Sequence, residues 1–156
     1  MRRPLHPLWQ CITLAGCLAA AAPAGAGIDP GPQDLAAAFA AAGFEQAADG
    51  RYVRCREDPP TLSYTPGQAE VVDLNGDGRP EVWITEGSVF CYGNTGNAFV
   101  LLTREGGGWR KLLDEVGTPL QLDSAKDGWP DIEVGGPGFE PFPVYRWDGH
   151  GYAPRR

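Results

Sequence analysis

Residues 71–84 read VVDLNGDGRPEVWI. Two apolar, β-branched runs flank a polar loop in which Asp73, Asn75 and Asp77 alternate, and Glu81 opens the second run. Pro80 and the flanking runs argue for strands on either side, not helices. A related stretch lies 50 residues further on. DSAKDGWPDIEV, from Asp123, overlays DLNGDGRPEVWI, from Asp73, without a gap, so Asp73, Asp77, Gly78, Pro80 and Glu81 fall on Asp123, Asp127, Gly128, Pro130 and Asp131. The match resumes at an offset of 43, where FVLLTREGGGW from Phe99 lies over FPVYRWDGHGY from Phe142. The loop around CYGNTGN in the first copy absorbs the difference. Each copy then reads strand, acidic loop, strand, strand, glycine turn, strand. This pattern predicts a mainly β fold: two tandem four-strand antiparallel units, at about 69–113 and 119–153, packed as a small sandwich or partial propeller.

Outward from these units the same punctuation continues. RYVRC (51–55), SVFC (88–91), AFVLLT (98–103), GWRKLL (108–113), LQLD (120–123) and PVYRW (143–147) are short β-branched or aromatic runs separated by Gly, Pro, Asn and Asp. REGGGW and WDGHGY read as hairpin turns. Before them, GIDPGPQD (27–34) reads as a linker, and residues 35–156 as a single domain. DLAAAFAAAGF offers one short N-terminal helix, with Asp34 as its cap, Leu35, Phe39 and Ala42 on one face, and Gly43 as its stop.

Residues 1–26 have the layout of a secretory signal: Arg2 and Arg3, an apolar stretch too short for a membrane span, then Ala24-Gly25-Ala26. Leu14-Ala15-Gly16-Cys17 also has the form of a lipobox, in which Cys17 would carry the lipid and anchor the chain to a membrane. Either route means export, to the periplasm or beyond. Without Arg2 and Arg3 the chain has 11 basic and 20 acidic residues. Such a surface repels nucleic acid and anionic membranes, so neither is expected as a partner, save for a membrane if Cys17 is lipidated. Cys11 and Cys17 lie in the leader, so Cys55 and Cys91 remain as a pair, and export predicts a disulfide between them.

The acidic loop has the chemistry of a cation site. Calcium takes six to eight oxygens at about 2.3–2.6 Å. Asp73, Asn75 and Asp77 supply side-chain oxygens, the backbone carbonyl of Arg79 another, and Glu81 can close the shell; Gly76 and Gly78 permit the tight turn. Ile84 stands where an EF-hand requires its bidentate glutamate, which excludes that motif. The competing reading is a turn rich in Asp and Asn whose carboxylates accept backbone N–H groups without metal. In the second loop Ala125 replaces a ligand and Lys126 stands beside it, so that loop is expected to be metal-free, its aspartates bonded to turn amides. DLNGDGRPEV resembles the calcium loop of FG-GAP/VCBS-type repeats, the β units of integrin-like propellers and of many secreted bacterial proteins. The resemblance implies calcium at Asp73, Asn75, Asp77 and Glu81, with the Arg79 carbonyl between them. It is specific over about ten residues and faint over 69–153. The family strings several units into a closed ring, whereas this chain has two.

No serine–histidine pair, phosphate-cradling glycine loop, CxxC or HExxH motif occurs, and His150 sits in a glycine turn. No catalytic residue is assigned. Two loops are candidates for recognition: VFCYGNTGN, with Tyr92, Asn94 and Asn97, and the aromatic stretch GGPGFEPFPVYRW, with Phe139 and Phe142. The expectation is a non-catalytic exported domain, braced by calcium, that binds a protein or a glycan. The alternatives are an inhibitor or immunity-type protein for an envelope hydrolase, and a small carboxylate-dependent hydrolase.

Overall fold

A computed structural model describes residues 28–56, 64–138 and 141–155. The leader, with Cys17, and Phe139 lie outside the described residues. The fold is mainly β, with two antiparallel sheets and a short helix against one of them. The first sheet has six strands in chain order: β1 (Glu45–Gln46), β2 (Tyr52–Val53), β3 (Thr65–Val72), β4 (Glu81–Gly87), β5 (Asn97–Glu105) and β6 (Gly108–Val116). The second is a four-strand meander of β7 (Thr118–Lys126), β8 (Trp129–Gly135), β9 (Val144–Trp147) and β10 (Tyr152–Pro154). Among the described residues no helix is long and apolar enough to cross a membrane.

Alternation along β4 and β5 creates two cores. Val82, Ile84, Val100 and Leu102 face the helix side. Trp83, Phe99 and Leu101 face the second sheet and share a core with Trp129, Ile132, Val134, Trp147 and Tyr152. Ile84, Phe99, Leu101, Leu102 and Ile132 are completely buried. Each such side chain contributes about 1.5–3 kcal/mol of transfer free energy. Trp129 stacks on Trp147 with ring centroids 4.4 Å apart, and Tyr152 meets both edge-on. Gly106 and Gly107, both at positive φ, form the two-residue hairpin between β5 and β6 that REGGGW predicts.

Three local expectations need correction. The helix α1 spans Pro32–Ala41, so it starts inside the stretch read as linker, and its cap position is Gly31. Pro32 has no N–H to satisfy and its φ suits the first turn, which moves the start upstream of Asp34. Asp34 instead pairs with Arg104, and its backbone carbonyl accepts the Trp109 indole N–H at 3.0 Å. The far end behaves as read. Gly43 lies at φ +88, and the Phe44 N–H returns to the Phe39 carbonyl, the bond that closes a left-handed helix stop.

The second correction is larger. SVFC is not a strand: Val89–Tyr92 form a short helix, α2, followed by a 3-10 turn at Gly93–Thr95. Ser88 accounts for this, since its hydroxyl accepts the Cys91 N–H at 3.1 Å and caps the turn. Val89 and Phe90 then point outward, both more than half exposed. Cys55 and Cys91 are joined by a disulfide, which ties this helical excursion to the segment after β2. Third, the apolar run that ends at Val72, read as opening the first unit at about residue 69, is the last part of a strand that begins at Thr65.

Candidate functional site

The acidic loop occupies residues 73–80, between the paired residues Val72 and Glu81 at the ends of β3 and β4. Gly76 and Gly78 adopt positive φ, +76° and +80°, and so let the chain reverse within eight residues. The side chains bond inward to the loop itself. Asp73 accepts the N–H groups of Asp77 and Gly78, one on each oxygen and both at 3.0 Å. The Asn75 carbonyl oxygen also accepts from Asp77 N–H at 3.0 Å. Asp77 accepts the Arg79 N–H at 2.9 Å on one oxygen and the Arg79 guanidinium on the other, at 2.6 and 3.0 Å. That guanidinium holds the Asp77 carboxyl below the usual carboxylate range. Arg79 therefore bonds into the loop through its backbone N–H and its charged head.

Glu81 is different in kind. It is fully buried, and one oxygen accepts the Leu74 N–H at 2.9 Å while the other accepts the Thr103 hydroxyl at 2.7 Å. Burial pushes its pKa up, and the charges of Asp77 and Asp73 add to the effect. Both partners are neutral. No arginine or lysine bonds to this carboxylate among the described residues.

Whether these residues suit calcium can be judged from their donors. All are hard oxygens, and each carboxylate oxygen that accepts one N–H keeps a second lone pair. Arg79 stands in the way, on Asp77, but most of its side chain is exposed and it can swing off. As the loop stands, among the described residues, no three His, Cys, Asp or Glu side chains form a group that could hold a metal ion. The loop thus has the chemistry for calcium, in the geometry of a self-bonded turn.

The second loop is tighter. Asp127 and Gly128, at φ +54 and +85, make a two-residue turn between the paired residues Lys126 and Trp129. A Cβ on Gly128 would lie 2.9 Å from the Asn75 carbonyl oxygen, so glycine is what lets the two acidic loops touch. Asp131 does not bond to turn amides, as expected of it. It accepts the Ser124 hydroxyl at 2.7 Å, a two-pronged contact from Arg146 at 2.6 and 2.9 Å, and Arg155 at 3.3 Å. Arg146 holds its carboxyl at about 2. Between the loops lies a cavity of about 380 Å³, lined by Asp77, Arg79, Thr103, Asp127 and Trp129, with the exposed His150 at its edge.

Described residues of the two loops read as candidates for recognition, far apart in the chain, come together at the opposite end of the strands. Asn94, Thr95, Thr118, Gly135, Gly136 and Phe142 line one depression of about 420 Å³. Tyr92 and Asn97 belong to its support. The Tyr92 hydroxyl donates to buried Glu86, and burial together with that hydrogen bond pushes the tyrosine pKa up to about 12. Asn97 pairs with Gly87 across the sheet, and its amide reaches the Gly117 carbonyl at 3.4 Å.

Glu86 itself escaped the sequence reading. It is 1 % exposed and accepts the N–H groups of Arg54 and Cys55 and the hydroxyls of Tyr64 and Tyr92. This single carboxylate joins the disulfide segment, the approach to β3 and the base of the recognition loop. Only its position at the end of a run of apolar or small residues, VWITEG, hinted at burial. Compared with protein-family models, curated proteins and solved structures, the chain matches none.

Proposed function

We propose that this chain is an exported, non-catalytic binding domain of the FG-GAP/VCBS kind, braced by calcium at Asp73, Asn75, Asp77 and Glu81. The observation that carries the reading is that Glu81 is buried with no cationic side chain bonded to it among the described residues. Its counterpart at the sequence offset of 50, Asp131, meets two guanidinium groups, whereas Glu81 meets an amide and a hydroxyl. A buried carboxylate without a cation is costly, and a hard divalent ion beside Asp73 and Asp77 would remove that cost. Two tandem units fit the connectivity, since β3–β6 and β7–β10 are each an antiparallel meander of four consecutive strands.

Binding, not turnover, fits the state of the carboxylates. Glu81, Glu86 and Asp131 are all buried and each accepts from internal donors, which favours a structural role for them over that of a general acid or base. The depression between the Gly93–Thr95 turn and Phe142 supplies the recognition surface. Its ligand is a protein or a glycan of the envelope or the extracellular space.

Thermal melts of the full chain from micromolar to millimolar calcium, and in chelator, test the brace. A ligand at a hundred times its dissociation constant adds roughly 2.7 kcal/mol, several degrees for a domain of this size. The calcium-dependent rise is expected to vanish in Asp77→Ala. A melt indifferent to calcium in the unmodified chain would leave residues 73–81 as a turn and withdraw the calcium brace.

A further inference from the structure

We infer that the depression between the Gly93–Thr95 turn and Phe142 is a subsite for a neutral saccharide. This rests on the binding-domain reading and names the ligand class. Asn94, Thr95 and Thr118 bring one amide and two hydroxyls, groups that both donate and accept. Phe142 brings a half-buried aromatic ring. Gly135 and Gly136 add backbone with no side chain of their own. None of the described residues lining the depression is ionisable, in a chain with 20 acidic and 13 basic residues.

A sugar ring is complementary to that set. Its hydroxyls both donate and accept around the rim, and its C–H face is apolar enough to lie against an aromatic ring. An ionic ligand would have to shed water with no counter-charge from the lining, which is costly. The volume of about 420 Å³ lies near the lower end of small-ligand cavities and suits one or two rings.

The walls are held from several sides, which lowers the ordering cost of binding. Thr118 and Gly135 pair across β7 and β8, and the Gly117 N–H bonds to the Asn97 carbonyl at 2.9 Å. Beneath Asn94, the turn is tied by the Cys55–Cys91 disulfide, by the Tyr92–Glu86 bond, and by the Ser88 N–H on the Gly96 carbonyl. Gly136 lies outside the positive-φ region, and a Cβ there would meet only the Thr95 hydroxyl, at 3.9 Å. A larger side chain at 136 would therefore fill the depression without backbone strain.

The test uses the full chain with maltotriose, cellotriose and triacetylchitotriose, read by calorimetry and by saturation-transfer NMR. At least one is expected to bind with a dissociation constant of about a millimolar or tighter. Asn94→Ala, Phe142→Ala and Gly136→Val should each weaken it tenfold or more, Phe142→Tyr should retain it, and Leu120→Ala on another face should leave it unchanged. Each variant counts only if its melt matches that of the parent, and Asn94→Ala and Gly136→Val keep the test alive if Phe142→Ala fails to fold. Absence of binding to all three sugars, or binding that survives these substitutions, overturns the inference. A cationic lysozyme serves as a protein probe in parallel. Lysozyme binding that depends on Asn94 and Phe142, with no sugar bound, would overturn the saccharide class and leave the binding-domain reading in place. If neither probe type depends on these residues, both fail.

Discussion

Glu81 and Asp131 are both completely buried, and they sit at corresponding sequence positions in two hairpins, β3–β4 of the first sheet and β7–β8 of the second. Each accepts from the residue seven positions earlier, Leu74 N–H in one case and the Ser124 hydroxyl in the other. Each also accepts from the following strand, where an offset of 43 sets Thr103 against Arg146. The framework of contacts is the same and the charge is not. Asp131 receives an arginine in that place and a second one from Arg155; Glu81 receives a hydroxyl. The two loops differ accordingly. The loop above Asp131 has collapsed to a two-residue turn, while the one above Glu81 spans eight residues and retains Asp73, Asn75 and Asp77. Asp131 has its cations built into the fold, as the side chains of Arg146 and Arg155. The Glu81 hairpin keeps a longer, oxygen-rich, self-bonded loop beside a buried carboxylate to which no cationic side chain is bonded.

The largest expected effect comes from removing each carboxylate in turn. Asp131→Asn should lower Tm by several degrees at pH 7, because it strips a buried partner from two arginines and a hydroxyl. Glu81→Gln in chelator should melt no lower than the parent, because it discards a buried charge that has no cation. The pH dependences have opposite sign. The folded pKa of Asp131 lies near 2, below its ordinary 3.8, so its contribution is complete above the ordinary value and is lost as pH falls through about 2. The pKa of Glu81 is raised, so its charged form works against the fold at neutral pH, and that penalty lifts as pH falls through the raised value. Denaturant melts across the acid range, parent against each variant, read both signs. Equal losses from the two substitutions at pH 7 in chelator would break the comparison.

A transplant sharpens it. Thr103→Arg would copy the arrangement of Arg146 into the first hairpin, and Thr103 lines the 380 Å³ cavity, which gives a guanidinium room. The calcium-dependent shift in Tm should drop to roughly a third or less, since one site cannot hold two cations against one carboxylate at this range. A full calcium response in this variant would mean that the ion does not neutralise Glu81.

Much of this contrast was legible in the sequence, and the reasons for the rest are physical. The runs at 81–85 and 98–103 announce strands by composition, and Gly106-Gly107 announces its hairpin, because these are local preferences. SVFC misleads because one hydroxyl, that of Ser88, caps a helical turn against the β preference of Val89 and Phe90. Asp34 misleads because Pro32 starts the helix first. The acidic alternation at 73–77 is visible as a pattern. What Glu81 and Glu86 do is not, because burial of a carboxylate and the choice of its partners are set by chain segments tens of residues away. Thr103 is 22 residues from Glu81, and Arg54 is 32 from Glu86. Tyr92 was read as a surface contact for the same reason, its hydroxyl being taken up by a carboxylate whose burial no local pattern reveals.

The smallest expected effect concerns Arg79, the one cation that the first loop does possess. It sits on Asp77, not on Glu81, and most of its side chain is in solvent. Two roles compete for it. As a rival, it covers an oxygen that calcium needs, and its removal should tighten calcium binding. As a brace, it orders the turn that presents the other oxygens, and its removal should weaken binding. Exposed ion pairs hold little free energy, while a like charge beside a cation site costs affinity directly, so the rival role should win. Arg79→Ala is expected to lower the calcium dissociation constant by roughly two- to five-fold, with Tm in chelator changed by no more than a degree or two. Calcium titrations of parent and variant followed by calorimetry decide between the roles. A weaker affinity in the variant would show that the first loop depends on its arginine for order, as the second depends on Arg146, and the contrast between the two hairpins would narrow to the position of the guanidinium.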